Sequence, residues 1–131
     1  MKLTMLPPVA ILVIGTGFSV SLLAADWLAI DNPSELRALY ANRTFKGKDW
    51  MDRPVITYYR ADGAGLMLYK GTRIPVRWSV KGSDQVCVEW SAHKDCYLVQ
   101  RHSTKTGTYR LIDVNTDVAA VYRIEDGIPN F

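Results

Sequence analysis

Cys87 and Cys96 bound a ten-residue segment, Cys87-Val-Glu-Trp90-Ser-Ala-His-Lys-Asp-Cys96, that reads as a β-hairpin. Joined as a disulfide, they imply an oxidising compartment and a crosslinked, strand-rich domain. If Cys87 faces Cys96, then Glu89 faces Lys94 and Trp90 faces His93. Opposite charges across a strand pair add about 0.2–1 kcal/mol. Ser91-Ala92 lacks the Gly or Asn that two-residue hairpin turns favour, so the expected loop is residues 90–93. The short loop closed by the two cysteines limits the staple to about 2–3 kcal/mol.

Export is written into residues 1–25. Lys2 precedes an apolar stretch over residues 6–23 that carries Pro7, Pro8, Gly15 and Gly17. Ala24 and Ala25 then offer a signal-peptidase site, the layout of a secretory signal peptide. An uncleaved anchor is the rival reading, but two prolines and two glycines make a poor permanent helix. No cysteine near the cleavage region invites lipidation. One β domain over residues 26–131 is expected, periplasmic or secreted, with no stable membrane anchor after cleavage. Without Lys2 it holds 15 basic and 13 acidic residues, too even a balance for nucleic acid to be a main partner.

Asn32-Pro33-Ser34-Glu35 starts a short helix, with Asn32 as cap, proline at the first turn and Glu35 placed to reach back to the cap amide. Leu36, Leu39 and Tyr40 share its apolar face, which should pack on a sheet or plug a barrel end. The rest reads as strands near 44–45, 55–60, 66–70, 73–81, 86–90, 97–102, 109–113 and 118–124. In the clearest of them, Ile74, Val76, Trp78 and Val80 alternate with Arg73, Pro75, Arg77, Ser79 and Lys81. Strict alternation means one dry and one wet face. Pro75 cannot donate a ladder bond, so a free edge or bulge is expected there. Seven or eight short strands with regular turns favour an all-β antiparallel barrel or sandwich.

No nucleophile elbow, paired-carboxylate motif, P-loop or dinucleotide fingerprint is visible, so no catalytic residue and no cofactor are assigned. A hydrolase using His93 or His102 is the low-ranked alternative. Cys87, His93, Cys96 and His102 fit no zinc-ligand spacing, so no metal is assigned. Aromatic residues suit both cores and interfaces. Adjacent Tyr58 and Tyr59 must point to opposite faces. Tyr58, Tyr59, Trp78 and Trp90, with Arg73 and Arg77 on the wet face of their strand, form the candidate ligand or partner surface.

The order of motifs resembles a family of small exported proteobacterial domains of unknown function. These motifs are Leu36-x-x-Leu39-Tyr40 with Thr44-Phe45, then Tyr59-x-x-Asp62-Gly63, Trp78-Ser79-Val80, and Cys87-x-x-Trp90 leading to Cys96. The resemblance implies a lipocalin-like or half-barrel β domain and carries over no catalytic residue. One departure is that Pro75-Val76-Arg77 stands where a G-x-W-S pattern would put a glycine before Trp78. The expected function is binding of a small apolar ligand or an envelope protein. The alternative is an inhibitor of an envelope enzyme, acting through a rigid loop at residues 91–95 or 61–65.

Overall fold

The computed structural model describes residues 26–49 and 51–130. The leader read over residues 1–25 lies outside them, as do Trp50 and Phe131. The described chain runs β1 (Trp27–Ala29), α1 (Pro33–Tyr40), β2 (Arg43–Lys48), β3 (Pro54–Tyr59) and β4 (Ala64–Tyr69). It continues through β5 (Thr72–Lys81), β6 (Gln85–Trp90), β7 (His93–His102), β8 (Thr108–Asp113) and β9 (Ala119–Asp126). Neighbours in sequence from β2 to β9 pair antiparallel, and β9 returns to β2. The result is a closed eight-stranded barrel. β1 is a ninth strand, laid along β7 where β6 has ended.

Alternation sorts the side chains. Phe45, Tyr59, Val76, Val86, Val88, Val99, Leu111 and Ile124 turn inward and join one core. Arg73, Arg77, Ser79 and Lys81 turn outward, as the period-two pattern of β5 requires. Pro75 faces Leu66 on β4 but has no β6 partner, because the β5–β6 ladder begins at Val76 and Trp90. The missing donor therefore falls at a locally free edge.

α1 starts as its sequence dictates, with the Asn32 side chain accepting from the Glu35 amide at 3.0 Å. The reciprocal half of the capping box is not made, because Glu35 instead meets Arg101 of β7 at 2.8 Å. The helix packs on β5 and β2 and closes one barrel end. Its last residue, Tyr40, sets its ring 4.4 Å from Phe45, 4.9 Å from Tyr59 and 5.3 Å from Trp78.

The cysteine hairpin has the expected register: Cys87 faces Cys96, Glu89 faces Lys94, and Trp90 faces His93. Cys87 and Cys96 form the disulfide, which lies on the outer face because Val86, Val88 and Trp90 take the inner one. The four-residue loop is corrected to a two-residue turn. Ser91 takes φ 53°, the positive value needed at the first central position of a II′ turn, so Ser91-Ala92 suffices without glycine.

Candidate functional site

Opposite α1, the barrel is open. The β2–β9 ladder stops at the Lys46–Arg123 pair, although β2 runs on to Lys48 and β9 begins at Ala119. Gly47 and Lys48 pair only with β3, and residues 119–122 pair only with β8. The two strands part at this end, and a hollow of about 820 Å³ opens between them into the barrel. Tyr97, Leu111, Asp113, Ala120 and Tyr122 form its inner wall. Lys46, Lys48 and Arg123 stand at its lip, with Val118 and Val121 exposed at 62 % and 53 %.

Gly47 shapes this mouth. A Cβ at that position would lie 2.5 Å from the Tyr122 ring, so glycine is what lets the ring lie flat against β2. Tyr122 thereby separates the packed half of the barrel from the hollow one. Its ring is 6.3 Å from Phe45, which in turn meets Tyr40.

Four tyrosines converge at that boundary. Burial, then the neighbouring phenols of Tyr59, Tyr97 and Tyr122, pushes the Tyr40 hydroxyl well above its ordinary pKa. Burial likewise raises Tyr59, and Tyr97 is raised by burial and then by the Asp95 carboxylate, to which it donates. Tyr122 is raised by burial and by Asp49. All four stay protonated and uncharged through the physiological range, so the boundary offers hydroxyl groups and ring faces rather than charge. The Tyr40 hydroxyl is fully buried and has no hydrogen-bond partner among the described residues.

The β2–β3 loop is fixed beside the mouth by Asp49. Its carboxylate accepts from the amides of Met51 and Arg53, from Arg53 Nε at 2.8 Å and from the Tyr69 hydroxyl. Partial burial works against ionisation. The donors from Tyr69, Arg53 and Met51 outweigh it and hold the carboxyl far below its usual range. Asp113 similarly caps the β8–β9 turn, accepting from the amides of Asn115 at 2.8 Å and Thr116 at 3.2 Å.

None of the surface candidates named from sequence lines the hollow. Tyr59 is a core residue, buried among Tyr40, Phe45 and Trp78, and so is no surface. Trp78 is partly buried at the closed end, donating from Nε1 to the Arg60 carbonyl at 2.7 Å. Trp90 packs on the core beside the turn, its ring 4.5 Å from His93. Tyr58 points outward over Asn42. Arg73 and Arg77 stand on the outer face of β5, Arg77 opposite Glu89. His102 accepts from the amides of Thr104 and Lys105 through Nδ1. The proposed loop at residues 91–95 is mostly strand, since β7 begins at His93. Alternation identified which residues face inward, but not how deep the packing runs. The glycine inside β2 was the available signal for the mouth.

The disulfide fits an oxidising compartment. Among the described residues, no helix is long and apolar enough to cross a membrane. No protein-family model, curated protein or solved structure matches the chain.

Proposed function

We propose that this chain is a non-enzymatic, periplasmic or secreted barrel that holds one small, largely apolar molecule in its open end. Its motifs resemble those of the small exported domains described above. The observation that carries the reading is the hollow itself. At about 820 Å³ it falls within the range of small-molecule sites. Eight strands give a barrel whose interior can just hold one small ligand. Its inner wall is Leu111, Ala120 and the faces of Tyr97 and Tyr122, with Asp113 beside them and Val118 exposed at the lip. α1 fills one end with rings and leaves the other end to a guest, and the disulfide on the outside takes none of that volume.

Native mass spectrometry of protein recovered from its own periplasm tests this. The expected result is a bound mass that is lost on denaturation and absent from Leu111→Trp, which fills the hollow. A bare mass for the wild-type chain would overturn it. The second reading, a loop-borne inhibitor of an envelope enzyme, rests on the rigid turn at residues 60–63. There the Trp78 amide donates to the Gly63 carbonyl at 2.9 Å and Arg60 pairs with Asp62 at 2.6 Å. That reading survives a bare mass, whereas the ligand reading does not.

A further inference from the structure

Where β2 and β9 part, the barrel wall itself is left with an open edge. We propose that this edge, residues 119–122 of β9, docks an extended polypeptide segment of a partner protein, with an acidic residue opposite Val121 and an apolar one opposite Ala120. The inference goes beyond the ligand reading, because it concerns the backbone at the mouth rather than the space behind it.

Ladder parity fixes which backbone groups are open. The Gly127 amide donates to the Asn42 carbonyl on the β2 side at 3.1 Å, and the Ile124 amide to the Gly107 carbonyl on the β8 side at 2.9 Å. In an antiparallel sheet, alternate residues of a strand bond alternate neighbours. Odd-numbered residues of β9 therefore face β2, and even-numbered ones face β8. Arg123 meets Lys46 across the seam, but the next rung, Val121 with Lys48, is not part of the ladder. Val121 and Ala119 thus turn their amides and carbonyls to the mouth without a ladder partner. Edge strands are ordinarily guarded by charge or proline. Residues 118–122 read Val-Ala-Ala-Val-Tyr and carry neither. Ala119 and Ala120 are small enough to let a second backbone approach.

An added strand that continues the line of β2 runs antiparallel to β9 and bonds Val121 and Ala119. Its residue opposite Ala120 points inward, toward Leu111 and Tyr97 on the wall of the hollow. Its residue opposite Val121 points outward, level with Lys48 and diagonal to Arg123. Arg123 makes no ion pair among the described residues. Lys48 has only the exposed Asp52, at 3.5 Å. The acidic residues of the mouth are engaged elsewhere, Asp49 by Arg53 and Tyr69 and Asp113 by the amides of Asn115 and Thr116. A carboxylate therefore complements this end of the edge. A second copy of the chain would bring the same cations against these, and residues 1–25 contain no acidic residue. Charge thus favours a segment from another protein.

The test is fluorescence anisotropy with the peptide Glu-Leu-Thr-Leu-amide, dye-labelled at its amino end. The wild-type chain should bind it saturably. Methylating the Glu and Thr nitrogens, which would face β9, should weaken binding about tenfold or more, whereas methylating the two Leu nitrogens should not. Replacing the peptide's Glu by Lys should weaken binding about fivefold. Val121→Pro removes only a mouth-facing amide, so its far-UV dichroism should match the wild type while peptide binding is lost. No binding by the wild type, equal losses from the two methylation patterns, tighter binding of the lysine peptide, or undiminished binding by folded Val121→Pro would each overturn the inference. A wild-type dimer in sedimentation that Val121→Pro dissolves would overturn it too, by giving the edge to a second copy. The ligand reading survives every one of these results, since it stands on the bound mass.

Discussion

Asp49 and Tyr40 represent opposite ways of placing a polar group at a barrel's inner margin. Asp49 gathers donors from Tyr69, Arg53 and Met51. Its proton is therefore held less tightly in the folded chain than in the unfolded one. The stability this contributes is complete above the ordinary carboxylate value of 3.8 and is lost as pH falls through the lower folded value. Urea midpoints measured from pH 6 down to pH 2 should fall steeply for the wild type. Asp49→Asn should begin lower at pH 6 and fall less, and parallel curves would contradict the assignment. Tyr40 does the reverse, leaving its hydroxyl orphaned. Tyr40→Phe should leave the ligand-free chain as stable as the wild type or more so, by up to about 1–3 kcal/mol in denaturant unfolding. A loss of stability would mean that the hydroxyl has a structural partner. Sequence reading placed Tyr40 on the buried face of α1, but no local pattern shows that an oxygen lacks a partner. Asp49 was invisible for another reason: Tyr69 is twenty residues away, and only the β2–β3–β4 meander brings them together.

Among the elements, the β6–β7 hairpin was the most legible, because a disulfide between facing residues fixes every other pair. Its turn was not, because Ser91 adopts a positive φ that composition does not announce. Relieving that conformation with Ser91→Gly should raise stability by about 1 kcal/mol. A fall in the thermal midpoint would show that Ser91 is held there by contacts rather than against them. Replacing both cysteines by serine should cost about 2–3 kcal/mol, read from the urea midpoint, with the barrel intact by far-UV dichroism. β1 escaped notice because three residues carry no periodicity, and its place along β7 depends on where β6 stops. The β2–β9 seam is the most sensitive junction. Gly47→Val would drive the Tyr122 ring into the hollow at about 1–3 kcal/mol of stability. It should also abolish the bound mass in native mass spectrometry.

At the scale of the molecule, one end of the barrel is filled by a helix and the other is left open by two strands that stop pairing early. The strand count, the antiparallel order and the dry face of β5 follow from alternation and turn chemistry. Neither the closure of β9 on β2 nor the depth to which α1 fills the interior can be read from periodicity, since each depends on strand stagger summed round the barrel. The most direct measurement of the central claim is a backbone amide NMR map of the uniformly labelled chain titrated with 1-octanol. The account predicts saturable shifts at Gly47, Tyr97, Leu111, Ala120 and Tyr122, with the turn at residues 60–63 unmoved. Shifts confined to that turn or to the outer face around Arg73 and Arg77, or none at all, would contradict it.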